Sequence, residues 1–174
     1  MIKAIRNILM MMAVMALSSP GRAGDTTSIR TDLYCLAQNI YFEARSEPLE
    51  GKLAVAHVVL NRMADDRFPE KLCSVIRQGG EKRRHRCQFS WFCDGRSDRP
   101  QNQQAWQESL VLATLIRAGL IPDPTGAALW YHADYVAPGW AGRLGRVTQI
   151  GRHIFYTDPA ATEQVQIAAA EGGS

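Results

Sequence analysis

Among the ionisable residues of this chain, Glu43 has the position best suited to acid–base chemistry. Apolar residues recur with helical spacing near it, which predicts one apolar helix face: Leu33, Leu36, Ala37, Ile40 and Ala44. Glu43 falls at the edge of that face and in the last helical turn, where the helix dipole disfavours negative charge. Partial burial acts in the same direction, so we expect a raised pKa, which suits a general acid near neutral pH. On residue type alone, an exposed glutamate at a helix end is the simpler interpretation.

Two later segments combine aromatic rings with hydrogen-bonding groups, residues 88–92 (QFSWF) and 129–132 (LWYH). Such side chains suit sugar rings, whose C–H faces are apolar and whose edges carry hydroxyl groups. Core packing is the alternative for each aromatic residue taken singly. The combination of one acid with these two segments suggests chemistry on a carbohydrate.

Motifs for several other chemistries are absent from the sequence. There is no glycine-rich phosphate loop, no His-Glu-x-x-His zinc helix and no Gly-x-Ser-x-Gly nucleophile turn. The four histidines do not have the spacing of metal ligands, and His57 is expected to be a core residue: His57, His85, His132 and His153. We therefore expect neither a metal nor another cofactor.

The elements that must position these residues predict a mainly helical α+β fold. Pro48 starts a second helix that is apolar on nearly all sides up to position 63, which is typical of a buried helix. A short helix follows Pro69 and ends near position 77. Asn102 caps a longer helix that ends near position 118, with Gly119 after its end. Residues 147–150 and 153–156 flank Gly151, which indicates a small β-hairpin. The pattern contains no internal repeat and fits a single domain.

The N-terminal residues 1–23 have the features of an export signal. Lys3 and Arg6 precede an apolar run over residues 8–17, and residues 21–23 (GRA) fit a small-x-small cleavage site. The run is shorter than the roughly 20 residues of a membrane span, so no span should remain after cleavage; an uncleaved anchor is the alternative. We expect a linker over 24–32, the globular domain over 33–157 and a flexible tail over 158–174. The protein should be exported to the periplasm or cell wall.

Removal of the signal also changes the charge of the protein. The whole chain carries a formal charge of +3, from 20 Lys and Arg against 17 Asp and Glu. Cleavage removes Lys3, Arg6 and Arg22, which leaves 17 residues of each sign. A domain with no net charge gives no argument for nucleic-acid binding. The charged run over residues 81–86 (EKRRHR) is expected to be a solvated loop, or else a contact for an anionic polymer.

The cysteines predict disulfides. An even number of cysteines in an exported chain favours oxidised pairs. Three pairings are possible, and we favour Cys87–Cys93, which closes a small loop, together with Cys35–Cys73, which ties the first helix to the third. A metal site is the alternative, although the sequence has no Cys-x-x-Cys pair.

Several short motifs occur in order along the chain: residues 41–48 (YFEARSEP), 50–51 (EG), 54–56 (AVA), 60–62 (LNR), 68–69 (FP), 87–90 (CQFS), 94–95 (DG), 129–132 (LWYH) and 150–153 (IGRH). Together they resemble the SleB-type cell wall hydrolases, the family of spore cortex-lytic enzymes, over about residues 33–157. The resemblance implies a lysozyme-like fold and a catalytic domain that cleaves the glycan strands of peptidoglycan, between N-acetylmuramic acid and N-acetylglucosamine. It also implies that Glu43 is the catalytic glutamate.

The number of carboxyl groups separates two mechanisms. Glycoside hydrolysis ordinarily uses two, whereas a lytic transglycosylase can use one, because the 6-hydroxyl of muramic acid supplies the nucleophile. We therefore expect Glu43 to act first as acid and then as base. Separately, we expect the protein to be a monomer. A hydrolytic muramidase with Asp94 or Glu47 as its second carboxylate is the alternative. The candidate substrate contacts are Gln88, Ser90, Trp91, Tyr131 and His132.

Two further interpretations belong to other functional classes. A zinc-dependent amidase would cut between glycan and peptide with histidine ligands, although their spacing does not fit. A non-catalytic wall-binding module would hold glycan with its aromatic residues, and Glu43 would then be only a helix-end residue.

Overall fold

The computed structural model describes residues 23–80 and 87–159 of the 174-residue chain. Residues 1–22 of the predicted export signal (1–23), the charged run over 81–86 and residues 160–174 of the predicted tail (158–174) lie outside the described residues. The elements are α1 (Ala23–Ala44), α2 (Leu49–Met63), α3 (Leu72–Arg77), α4 (Gln103–Arg117), β1 (Trp130–Ala133), β2 (Gly145–Ile150) and β3 (His153–Thr157). Two short 3-10 turns span Ser90–Cys93 and Ala141–Arg143. The prediction of a mainly helical α+β fold is confirmed.

Helix α2 lies at the centre of the fold, with core on both sides. One cluster packs it against α1, α3 and α4, and includes Leu36, Ile40 and Val59. A second cluster packs it against the sheet, and includes Val55, Val58 and Phe155. Because both faces are covered, a helix that is apolar on nearly all sides is stable here.

Helix α4 begins and ends where its sequence signals predicted. The Asn102 side chain accepts a hydrogen bond of 2.9 Å from the backbone N–H of Ala105, which satisfies an otherwise unpaired donor of the first turn. Gly119 follows the helix with a φ of 70°, in the left-handed region that glycine adopts without strain. The Tyr41 hydroxyl accepts hydrogen bonds from the backbone N–H groups of Gln101 and Asn102, and so fixes this helix start against α1.

The sheet has the strand order β1-β3-β2, and both pairings are antiparallel. The predicted hairpin is present as β2 and β3, which Gly151 joins with a φ of 58°. The segment around Tyr131 adds a third strand, because β1 pairs with the other edge of β3 and sets Tyr131 opposite Phe155. This pairing carries Tyr131 toward the end of α1.

The first helix starts earlier than predicted. We expected a linker over residues 24–32, but these residues already belong to α1. The Thr31 hydroxyl donates to the carbonyl of Thr27 inside the helix, at 2.9 Å. The physical reason is that residues 25–44 contain no proline or glycine, so nothing stops the helix from extending as an exposed polar turn.

Both favoured disulfides are present. Cys35–Cys73 ties α1 to α3, and Cys87–Cys93, here called the loop disulfide, closes the segment that contains the 3-10 turn at Ser90–Cys93. None of the helices in the described part of the chain has the length and apolar character that a bilayer crossing demands.

Candidate active site

Glu43 lies in the last turn of α1, half-buried, and is hydrogen-bonded to the sheet. Its Oε2 accepts a hydrogen bond of 3.0 Å from the hydroxyl of Tyr131 on β1. The Tyr131 ring contacts two rings of β3, Phe155 with centroids 5.6 Å apart and His153 at 5.0 Å. The other oxygen of Glu43 has no hydrogen-bond partner within residues 23–80 and 87–159.

The environment of Glu43 favours its protonated form. Burial raises the pKa of this carboxyl, and the hydrogen bond from Tyr131 opposes that effect without cancelling it. Burial and the adjacent Glu43 also raise the pKa of Tyr131 well above its ordinary value, so its hydroxyl keeps its proton and donates. The pKa direction expected from the sequence is therefore present. A carboxyl group with a raised pKa is suited to give up a proton to a substrate and then take one back.

An open cleft of about 650 Å³ runs past Glu43, between the end of α1, the segment 87–101 and β1. All five candidate substrate contacts line it, together with one of the two carboxylates considered as a second acid: Gln88, Ser90, Trp91, Tyr131, His132 and Asp94. The fold thus brings together residues that are separated by almost 90 positions in the sequence.

These cleft residues differ in how much of each side chain is left for a ligand. Ser90 is exposed at the rim. Trp91 is buried, donates from Nε1 to Asn39 at 3.2 Å and stacks on Phe42, so it supports the cleft floor. His132 donates from Nδ1 to the Ala133 carbonyl and accepts the Tyr156 hydroxyl at Nε2, both at 2.9 Å. Its imidazole nitrogens are therefore already occupied.

Gln88 is exposed in the cleft, and a buried arginine sets its orientation. With its amide oxygen turned toward Arg62, Gln88 accepts hydrogen bonds of 2.9 and 3.1 Å from the two terminal guanidinium nitrogens. Arg62 also donates from Nε to the carbonyl of Leu129, at 2.6 Å. The amide N–H₂ of Gln88 is then the group that remains for a ligand, which makes this residue a hydrogen-bond donor in the cleft.

Glu47 does not join the cleft, which corrects its consideration as a second carboxylate. Its side chain is buried, accepts hydrogen bonds from the backbone N–H of Arg152 at 2.9 Å and from its Nε at 3.2 Å, and faces the turn between β2 and β3. Burial acts to raise the pKa of Glu47, but the hydrogen bonds from Arg152 outweigh it and the pKa is lowered. Glu47 is therefore an ionised anchor between the α1–α2 corner and the sheet.

Two residues near the cleft were not singled out from the sequence. Asp98 lines the cleft, and burial together with the charge of Asp94 raises its pKa. No sequence signal separates Asp98 from an exposed acid. Arg62 is fully buried on α2, and its spacing of three and seven residues from Val59 and Val55 could have indicated that burial.

Metal ligands are not grouped in the part of the chain that the structure describes. Within residues 23–80 and 87–159, no three His, Cys, Asp or Glu side chains come together in a way that could hold an ion. The buried His57 lies close enough to Asp123 to feel its charge, and burial lowers the pKa of the imidazole.

Comparison with known proteins finds a cell wall hydrolase family and several spore cortex-lytic enzymes. A family model for cell wall hydrolases matches residues 46–156, a segment that begins just after Glu43. The spore cortex-lytic enzyme of Oceanobacillus iheyensis is 36% identical over 127 residues, which is 72% of this chain and 41% of that protein. The spore cortex-lytic enzyme of Bacillus subtilis is 34% identical over 125 residues, or 71% of this chain and 37% of that protein. The chain therefore spans less than half the length of these relatives.

The same similarity appears among solved structures. The catalytic domain of the germination-specific lytic transglycosylase SleB from Bacillus anthracis superposes with a TM-score of 0.57 and 32% sequence identity, over 74% of this chain and 95% of that domain. The catalytic domain of the Bacillus cereus SleB protein gives a TM-score of 0.56, also at 32% identity. Sequence and fold thus agree over the described domain, and the chain belongs to the cell wall hydrolase family.

Proposed function

We propose that this protein is an exported enzyme that cleaves peptidoglycan glycan strands between N-acetylmuramic acid and N-acetylglucosamine, as a lytic transglycosylase. The observation that carries the proposal is the half-buried Glu43, whose pKa is raised, beside an open cleft. Membership of the cell wall hydrolase family and the likeness to a domain described as a lytic transglycosylase support the same reaction. Export is supported by the two disulfides, which form outside the reducing cytoplasm.

The reaction uses Glu43 twice. Its carboxyl proton passes to the glycosidic oxygen as the bond from that oxygen to the anomeric carbon of muramic acid breaks. The 6-hydroxyl of the same sugar then forms a bond to that carbon, and its proton passes back to Glu43. The product is a 1,6-anhydromuramoyl end, and no water is consumed. Because the nucleophile belongs to the substrate, proximity takes the place of a second carboxylate.

Tyr131 acts as a positioning residue for this acid. Its hydroxyl occupies Oε2 of Glu43 and leaves the other carboxyl oxygen for the proton that moves. The same hydrogen bond stabilises the carboxylate that exists between the two proton transfers. Gln88, with its amide N–H₂ turned away from Arg62, is suited to a carbonyl oxygen of the substrate, such as that of an N-acetyl group.

Hydrolysis is a second candidate reaction, because Asp94 and Asp98 also line the cleft. Either carboxylate could activate a water, and the product would then carry a reducing end. Mass spectrometry of digested peptidoglycan separates the two reactions, because an anhydro end is lighter than a reducing end by one water.

The role of Glu43 is tested by Glu43→Gln, which keeps the size of the side chain and removes its acid. Glycan cleavage should be abolished while circular dichroism and both disulfides stay unchanged. Glu50→Gln is the matched control, because Glu50 is exposed on α2 and does not line the cleft. Substantial cleavage by folded Glu43→Gln would refute the assignment, and cleavage between glycan and peptide would point to an amidase instead.

A further inference from the structure

A second depression adjoins the cleft on the far side of Gln88. It has a volume of about 470 Å³ and is lined by Arg62, Gln88, Trp130, Tyr131, Trp140, Arg143 and Leu144. Gln88 and Tyr131 line both cavities, so the depression lies directly beside the cleft and is here called the side branch. The reaction described above uses none of the tryptophan or arginine side chains in this branch.

The charge of the side branch is positive. Arg143 is exposed in the 3-10 turn Ala141–Arg143, and no described residue forms a hydrogen bond or ion pair with its guanidinium. Arg62 is 1% exposed, and its described partners are neutral: the Leu129 carbonyl, the Gln88 amide and the rings of Phe68 and Phe89. Burial lowers the pKa of Arg62 to about 10, so it remains charged at neutral pH. Two cations without a carboxylate partner favour an anionic ligand.

The walls of the side branch are amphipathic and consist largely of packed aromatic rings. Trp130 packs against Phe68, with ring centroids 6.2 Å apart, and Trp140 packs edge-on against Tyr156 at 5.6 Å. Arg67 covers the Trp130 ring, but its own charge is paired with Asp65 and Asp158. Indole faces and Leu144 suit short alkyl groups. A ligand that combines alkyl groups with a carboxylate fits better than a neutral sugar, which would leave both cations unpaired.

This inference rests on the proposed function, because it concerns the same substrate. Muramic acid carries a peptide on its lactyl group, as a branch from the glycan strand, and that peptide bears free carboxylates. We propose that the side branch binds this stem peptide while the glycan strand occupies the cleft, with Arg143 pairing with a peptide carboxylate. The enzyme would then distinguish peptide-bearing glycan from bare glycan. The lactyl carboxylate of bare muramic acid has the same charge, but is too small to fill about 470 Å³.

A titration followed by NMR tests the site without relying on cleavage. N-acetylmuramoyl tetrapeptide should shift the indole N–H signals of Trp130 and Trp140, but not that of Trp106 on α4, which lines neither cavity. Arg143→Gln should weaken binding about fivefold, the loss expected for one exposed ion pair, and Arg143→Lys should restore part of it. Arg146→Gln is the matched control, because Arg146 is exposed on β2 outside the depression.

Two results of this titration would overturn the proposal. Equal affinity of wild type and Arg143→Gln for the tetrapeptide would show that Arg143 does not pair with a peptide carboxylate. Equal shifts of the two indole signals with the peptide-free disaccharide of N-acetylglucosamine and N-acetylmuramic acid would make the depression a sugar site, or a site for the lactyl carboxylate.

Cleavage assays separate this proposal from the proposed function. Wild type should cut intact sacculi about fivefold faster than sacculi whose peptides an amidase has removed, and Arg143→Gln should cut both at one rate. Equal rates of the wild type on both substrates count against the peptide site. If the wild type cuts neither substrate, the proposed function fails, and the titration still decides whether the side branch binds peptide.

Discussion

The junction between Glu47 and the β2–β3 turn permits a quantitative prediction of stability. Glu47→Gln preserves the shape of the side chain but replaces a buried carboxylate with a neutral amide. The turn leaves no room for rearrangement on its own side, because a Cβ atom added at Gly151 would overlap Oε2 of Glu47. The variant must therefore accept weaker hydrogen bonds in the existing geometry.

The size of the expected loss of stability follows from the two hydrogen bonds that Glu47 accepts. The backbone N–H of Arg152 donates to a carboxylate whose side chain is 4% exposed, and this bond contributes about 1.5 kcal/mol. The Arg152 guanidinium belongs to a side chain that is 65% exposed, so solvent reduces its contribution to about 0.5 kcal/mol. Glutamine keeps one neutral bond to the backbone and presents its N–H₂ to a cation. We expect Glu47→Gln to lower the free energy of unfolding by about 1.5 kcal/mol.

The difference in the free energy of unfolding between the wild type and Glu47→Gln should depend on pH in one direction. The folded protein lowers the pKa of Glu47 below its ordinary value of 4.5, although burial alone would raise it. The stabilisation by ionised Glu47 is therefore complete above pH 4.5 and is lost as the pH falls through the lowered pKa. Glutamine does not titrate, so the difference between the two proteins should be largest near neutral pH and should shrink in acid.

Urea denaturation, followed by tryptophan fluorescence at pH about 7 and about 3, measures both effects. Arg152→Ala is the control, because it removes the exposed guanidinium but keeps the backbone N–H, and should cost only about 0.5 kcal/mol. A loss for Arg152→Ala as large as that for Glu47→Gln would refute this reasoning. A difference between wild type and Glu47→Gln that persists undiminished in acid would also refute it.

The remaining predictions concern the acid and the disulfides. Tyr131→Phe removes the donor that stabilises ionised Glu43, so the pKa of Glu43 should rise further. In a plot of cleavage rate against pH, the loss of activity on the alkaline side should then occur at higher pH. An unchanged pH profile would contradict the role of Tyr131. Cys35→Ala with Cys73→Ala opens a loop with a sequence separation of 38 and should lower the free energy of unfolding by about 4 kcal/mol in urea denaturation. Opening the loop disulfide, with a separation of 6, should cost about 2 kcal/mol, and equal losses for the two disulfides would contradict the chain-entropy argument.

The parts of the fold that were predictable from sequence depend on neighbouring residues. The all-round apolar pattern of α2 indicated a buried helix, and the structure shows that core clusters cover it on two sides. Asn102 and Gly119 marked the ends of α4 because caps act within one helical turn. The early start of α1 was missed because an exposed polar turn has no apolar periodicity to read.

The contacts within the site could not be predicted from the sequence, because they join segments that are far apart along the chain. Tyr131 and Glu43 are 88 positions apart, and they meet only because β1 pairs with β3 in one particular register. Glu47 carries the same chemical group as Glu43 and lies one turn further along the chain. Its contact with Arg152, rather than any property of its own sequence, makes it an anchor instead of a candidate acid.

The strand order determines when the candidate site can form during folding. β1 takes its place beside β3, the last strand of the described chain, so the acid and its tyrosine cannot meet until residues near position 157 have joined the fold. Contacts between distant segments form late and slowly during folding. A chain that is synthesised N-terminus first therefore carries an unassembled candidate site until β3, the last strand in the described part of the chain, has joined the fold.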